Sequence, residues 1–198
     1  MFEGLTERAF LPHLRRFLEA RVNGPMPKLD PQTYKGRLPT QGVLKRHVEN
    51  LLSDSQKPAD AVIALTDVYT GTREFKDAAN AKAKMRQWVG GNSRFHPHVA
   101  LHDFEAWLLP FWKDICELAG SNRTVPSEHP ESVNHAKPPS YWIHEAFRTG
   151  NRGHTYSKVL IASRILLNRD LTVAANACPE LKAFLNTILT LCDSKPLA

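Results

Sequence analysis

Ala61-Val62-Ile63-Ala64-Leu65 is a run of five apolar residues without polar alternation, and Asp67 follows two places later. A strand with one face in water alternates apolar and polar side chains, whereas a strand buried on both faces does not. The run therefore predicts a strand within a parallel sheet, and the rest of the chain must supply helices to cover both faces. Upstream, Phe10, Leu14, Phe17, Leu18 and Val22 fall on one helical stripe. They predict a helix over 7–22, with Thr6 as its N-cap and Gly4 allowing a tight turn before it. Residues 23–40 contain four prolines and two glycines and read as a long loop. A second helix is predicted over 42–53. After the apolar run, a helix is predicted over 74–89, broken by Gly90-Gly91-Asn92-Ser93. A second strand is predicted over 95–101, with Pro97 limiting its early pairing. Strand, helix, strand, helix is the order of an α/β protein, here a short parallel sheet flanked by helices.

Beyond the second strand, Asp103 is expected to cap a helix bearing Phe104, Trp107, Leu108 and Ile115, which Pro110 kinks or restarts. Residues 121–139 are polar and proline-rich, as in a surface loop or lid. Helices are predicted over 141–148 and 158–168, and a last one starts at Pro179, since proline suits the first helical position. The expected division is an α/β core over 1–120, with a loop and helical extension over 121–198 packed on the same core.

Several classes are excluded or disfavoured. No apolar run reaches the ~18–20 residues of a membrane span. The start Met-Phe-Glu-Gly has neither the signature of a signal peptide nor that of a transit peptide. Cys116, Cys178 and Cys192 are odd in number and widely spaced, so a disulfide framework or zinc ribbon is not expected, and a reducing cytoplasm fits. The net charge is +6, and residues 1–50 alone carry nine Lys/Arg against five acids. Such a balance suits a polyanionic partner such as nucleic acid, with Arg15 and Arg16 as candidate contacts, although a solvated helix face has the same composition. There is no phosphate-binding P-loop motif, so any use of ATP falls to a partner.

The candidate chemistry lies in three acidic segments, each where a strand is expected to hand over to a helix. They hold Glu3 and Glu7, then Asp67, then Asp103 and Glu105. In open α/β sheets, ligands bind beyond the carboxyl ends of the strands. Carboxylates converging there form a cage for a hard divalent cation, and such a cation serves phosphate-ester chemistry. Each acid also has a purely structural use, as a helix-start acid, a turn residue or a cap. Lys158 opens a predicted helix, either to neutralise a phosphoryl transition state or as a plain surface lysine. His96 and His98 would share one strand face with His102 close behind, a pattern that also admits a histidine-bound metal. Trp107 and Trp112 read as core residues.

Glu3-Gly4-Leu5-Thr6-Glu7 resembles the first Toprim motif, in which a strand ends in Val-Glu-Gly-x-Thr/Ser-Glu. Asp67-Val68-Tyr69 resembles the second, Asp-x-Asp, with its second acid replaced by tyrosine. His102-Asp103-Phe104-Glu105-Ala106-Trp107 resembles the His-x-Phe-Glu-Ala segment of a small Toprim-like family related to RloB and the OLD nucleases. Pro138-Pro139-Ser140, Tyr156-Ser157-Lys158 and Ala177-Cys178-Pro179 match its later landmarks, so the likeness spans nearly the whole chain. The resemblance implies a Rossmann-like Toprim fold with a helical C-terminal part, and Mg²⁺- or Mn²⁺-dependent phosphodiester hydrolysis of nucleic acid. It implies Glu3 as general acid/base, Asp67 and Glu105 as metal ligands and Lys158 as a transition-state lysine, with Glu7, Tyr69, His102 and Asp103 in support. It also implies phage defence beside an AAA-type ATPase. Two departures qualify it. A phenol is a poor Mg²⁺ ligand at neutral pH, so Tyr69 points to a weaker or single-metal site, or to an inactive module that docks on and regulates the ATPase. Only Met1 and Phe2 precede Glu3, whereas a strand normally takes about five residues. The expectation is a first strand nearly lost, through truncation or a late gene start, with Glu3 poorly held.

Overall fold

The computed structural model describes residues 1–34, 36–133, 136–152 and 157–198. It is an α/β fold in which a short parallel sheet is flanked by helices. Strand β1 (Val62–Asp67) pairs in parallel with β2 (Phe95–Ala100), in a register that sets Val62 opposite Phe95 and Asp67 opposite Ala100. Helix α3 (Ala78–Val89) makes the crossover between them. Pro97 lies within the ladder, opposite Ala64. Among the described residues β2 pairs only with β1, so its other side is an edge and tolerates a residue without an N–H.

The far side of β1 is lined by the start of the chain. Phe2 bridges in parallel to Leu65 on one side and to Thr33 on the other. Leu65 N donates to Met1 O at 3.0 Å, and Tyr34 N donates to Phe2 O at 2.9 Å. Two residues thus do the work of the strand that the sequence reading expected to be nearly lost. Glu3 leaves this short ladder one residue after the Phe2–Leu65 bridge.

The apolar run of β1 divides its side chains between two cores, as burial on both faces requires. Val62 and Ala64 join Leu44, Val48, Ala81, Met85 and Val99 under α2 (Gln41–Leu52) and α3. Leu65 joins Phe2, Phe10, Phe104, Trp107 and Phe184 on the opposite face. That second core is built from α1 (Leu5–Glu19), a 3-10 helix (Phe104–Phe111), α4 (Trp112–Ala119), α5 (Pro139–Thr149), α6 (Lys158–Leu166), α7 (Leu171–Ala177) and α8 (Pro179–Leu191). The helices beyond residue 121 therefore share a core with α1 and the 3-10 helix. Among the described residues no helix is long and apolar enough to cross a membrane.

Several boundaries differ from expectation. Helix α1 starts at Leu5 with Gly4 as N-cap, so Thr6 and Glu7 lie in its first turn. Gly4 has φ −153°, an extended conformation, so it supplies no left-handed turn. Helix α3 starts at Ala78, four residues later than predicted, because the Asp77 carboxylate accepts from Asn80 N at 2.7 Å and caps it there. The segment after Asp103 is a 3-10 helix rather than an α-helix, with Pro110 inside it, and α4 starts directly after it at Trp112. Helix α7 was not predicted: seven residues, three of them alanine, carry no periodic stripe.

Candidate metal centre

Each acid reaches the site because of where its element stops. Asp67 is the last residue of β1, and Glu3 follows the Phe2 bridge to the same strand. Both therefore stand at the carboxyl edge of the sheet. Glu7 sits in the first turn of α1, facing the same edge, and is buried. Oxygens of Glu3, Glu7 and Asp67 all lie within 4.8 Å of one another, the spacing at which three carboxylates can share one cation. Among the described residues none of the three forms an ion pair.

Glu3 is firmly held, contrary to expectation. Its Oε1 accepts from the Thr66 hydroxyl and from Leu38 N at 3.4 Å, and its backbone carbonyl accepts from Gly36 N at 2.9 Å. Burial raises its carboxyl above the usual range, while the Thr66 bond and the Arg37 guanidinium oppose that rise. Burial also raises Glu7, aided by the charges of Glu3 and Glu105. Asp67 is pushed well above the carboxylate range by burial first, then by Glu7, Asp103, Glu3 and Glu105. Five carboxylates thus act on one another at this edge. The positive end of the α1 dipole is a small local compensation.

Asp103 and Glu105 form the adjoining part of the cluster. Asp103 holds the cap position of the 3-10 helix but makes no side-chain cap bond there. Instead its Oδ2 accepts from Ser140 N in the first turn of α5 at 3.2 Å, which places the Pro138-Pro139-Ser140 segment beside the site. Its Oδ1 is buried and has no hydrogen-bond partner among the described residues. Burial and the charge of Glu105 raise Asp103 to about 6, opposed by Ser140 and Lys158. Glu105 is 2% exposed and pairs with the half-exposed Lys158 at 3.0 Å. Burial alone would lower the Lys158 ammonium, but the carboxylates of Glu105, Asp103 and Asp67 raise it. The Glu105 that sequence reasoning placed on the metal is therefore engaged by lysine, next to the Glu3, Glu7 and Asp67 group. Tyr156, a neighbouring landmark, lies outside the described residues.

Tyr69 borders the cluster two residues past Asp67. Its ring lies 5.7 Å from that of His102, whose Nε2 is 3.4 Å from the Thr70 hydroxyl. Burial, with Asp103, Asp67 and Glu105, pushes the Tyr69 phenol up to about 12, so it remains protonated at neutral pH. The histidine alternative does not assemble. His98 packs edge-on against Phe184 at 5.6 Å and is held to about 3 by burial, while His102 sits with Tyr69 and Thr70. Among the described residues, no group of metal-ligating side chains includes a histidine. Trp107 is fully buried, and Trp112 is buried too, as expected of core residues.

Arg15 and Arg16 are exposed on α1. They line a groove of about 510 Å³ with Arg8, and Arg16 also donates to Asn168 Oδ1 at 2.8 Å. A separate cleft of about 610 Å³ is lined by Glu3 and Asp67 together with Arg37, Arg73, Phe75 and Trp88. Sequence reasoning counted Arg37 only in the basic balance of residues 1–50 and passed over Arg73, Phe75 and Trp88. The signal was present in Arg73-Glu74-Phe75, basic and aromatic residues close behind the Asp67 strand end.

The family model for a domain of unknown function, DUF4276, matches residues 2–189. The chain belongs to the DUF4276 family. Every acid of the cluster, and Lys158, falls within the DUF4276 match. No curated protein and no solved structure matches this DUF4276 chain.

Proposed function

We propose that the protein is a divalent-metal-dependent phosphodiesterase acting on nucleic acid, with Mg²⁺ or Mn²⁺ held by Glu3, Glu7 and Asp67. The observation that carries this reading is the approach of those three carboxylates to within 4.8 Å at the carboxyl edge of a parallel sheet. The donor set fits a hard cation, being all oxygen and strongly anionic. The fit is supported by repulsion at Asp67, which no ion pair relieves among the described residues, and by the buried Oδ1 of Asp103, which has no hydrogen-bond partner among them. A bound divalent cation would neutralise charge on the scissile phosphate and lower the pKa of a water.

The chain's own groups take the remaining roles. Glu3, braced by Thr66 and Leu38, fixes where the cation would sit and so where a water on it would face the phosphate. Lys158 lies half-exposed over Glu105 and offers its ammonium to the phosphoryl oxygens. Arg15 and Arg16 draw in the phosphate backbone. The Toprim resemblance supports Asp67 as a metal ligand and Lys158 as the transition-state lysine; it implies Glu105 as a second ligand, whereas Glu105 pairs with Lys158. A role in phage defence with an AAA-type ATPase rests on that resemblance.

The test is cleavage of plasmid, single-stranded DNA and tRNA in Mg²⁺ or Mn²⁺ by wild type and Asp67→Asn. Wild type should cleave at least one substrate, EDTA should abolish cleavage, and the variant should be slower by about 100-fold or more. Equal cleavage by both proteins, or none by wild type, contradicts the reading. A second reading is favoured by Tyr69, whose protonated phenol stands where a second acid would complete the site. On that reading the protein is a catalytically weak module that docks on and regulates an ATPase.

A further inference from the structure

The acid cluster is one end of a longer feature. The cleft of about 610 Å³ that starts at Glu3 and Asp67 runs between the 36–40 segment, the 69–75 loop and α3. That volume is in the range of pockets that enclose a small ligand. Its lining also holds groups of a different chemistry. Phe75 and Trp88 are both partly buried and lie 6.4 Å apart, tilted by 50°. Cations surround this aromatic pair. Arg73 is exposed on the rim, Lys84 Nζ lies 5.7 Å from the Phe75 ring, and Arg37 reaches Glu74 while its charge is felt at Glu3.

The loop that presents Phe75 is a closed turn. Gly71 N donates to Lys76 O at 2.9 Å and Thr72 N donates to Phe75 O at 3.1 Å, with Gly71 at φ +71°. The Thr72 hydroxyl also accepts from Phe75 N at 3.1 Å. The aromatic wall is therefore fixed from both sides, by this turn and by α3.

Carboxylates, arginines and an aromatic pair in one cleft are the groups that a nucleotide needs when one of its phosphates lies at a metal centre. The base needs a flat apolar partner, and the adjoining phosphate needs a cation. A paired base in a duplex has its faces covered by its neighbours and cannot stack on a side chain without leaving the helix. We infer that Phe75 and Trp88 form a stacking site for an unpaired base, so that the protein takes single-stranded nucleic acid, with Arg37 and Arg73 on the phosphate that joins this base to the one at the acids. This rests on the nucleic-acid reading above and narrows its substrate. It does not need the metal, because stacking and arginine contacts act without one.

The test is fluorescence anisotropy with short labelled oligothymidylate, the matching duplex, and unlabelled thymidine monophosphate as competitor, each in EDTA and in Mn²⁺. The single strand should bind more tightly than the duplex and the mononucleotide, in both buffers. Trp88→Ala should weaken single-strand binding by about 5-fold or more, the effect of losing one stacking partner. Arg73→Ala, on the exposed rim, should lower the salt slope of binding by about one without disturbing the fold. Should Trp88→Ala fail to fold, Phe75→Leu and Arg73→Ala carry the test. Duplex or mononucleotide binding equal to that of the single strand overturns the inference, as does unchanged binding in these variants. Strand binding without metal-dependent cleavage would remove the metal reading and leave this one. Manganese binding without strand binding would do the reverse.

Discussion

At the scale of the residue, Asp67 carries most of the account. Burial and four neighbouring carboxylates hold its pKa well above the ordinary value near 3.8. The linkage has a definite sign. Below that ordinary value both folded and unfolded chains hold the proton, and nothing is lost. As pH rises through the interval up to the folded value, the folded state keeps a proton that the unfolded state releases, so stability falls. Asp67→Asn removes this loss without changing shape. In EDTA the variant should therefore gain stability relative to wild type between pH 4, close to that ordinary value, and pH 8. Its melting temperature should rise by about 2–4 °C for each kcal/mol of repulsion relieved. Melting curves at both pH values decide it, and a variant less stable than wild type at pH 8 would mean that the carboxylate is structural. Asp67 could be picked out in the sequence because a lone acid after five apolar residues has few other places to go. Glu7 was harder: in a string of letters, a first-turn acid that compensates a dipole looks the same as one turned into a site. The four-residue step from Glu3 carried the information, but only together with a helix start at Leu5 instead of Glu7. Asp103 was placed at its cap position, but the bond its carboxylate makes was hidden for a related reason. It occupies a cap position by backbone geometry, yet its carboxylate serves a helix that begins 36 residues later, at Pro139.

At the scale of the element, what could be read locally was read well, and what depends on distant partners was not. The β1 strand, the α3 crossover and β2 follow from composition and punctuation within each segment. The 3-10 geometry after Asp103 and the short α7 depend on packing in a core whose members lie far apart in sequence. Helix α8 shows such dependence clearly. Its start at Pro179 is legible, but its cap comes from another segment. Glu131, in a short 3-10 turn (Pro130–Ser132), accepts from Glu180 N through both oxygens at 3.1 Å. It also accepts from Trp107 Nε1 at 3.3 Å. Burial raises its pKa to about 7, against the pull of these donors. Glu131→Ala should leave two donors unmatched, each costing about 1–3 kcal/mol, and should lower stability accordingly. Glu131→Gln keeps an acceptor and should cost less. Urea unfolding followed by tryptophan fluorescence measures both, and an alanine variant as stable as wild type would show that the cap contributes nothing.

At the scale of the whole molecule, two cores meet on either side of one thin sheet, and the acids occupy the edge where both are capped by helix starts. Helices α2 and α3 form one layer; α1, the 3-10 helix and α8 form the other. Lys82 on α3 pairs with Glu180 on α8 at 2.8 Å and ties the layers together. Residues from four separate stretches therefore contribute to one site, and no local pattern could have shown that they converge. Motif order across the chain pointed the same way, and the DUF4276 match extends over all four stretches. The central claim is that Glu3, Glu7 and Asp67 bind a divalent cation. The direct measurement is thermal unfolding at pH 8 with Mn²⁺ or Mg²⁺ titrated into EDTA-treated wild type and Asp67→Asn. At about one hundred times the dissociation constant, binding contributes about 2.7 kcal/mol, which in a chain of this size raises the melting temperature by about 5–10 °C. Wild type should show that rise and Asp67→Asn should not; no rise in wild type, or the same rise in both, would contradict the account.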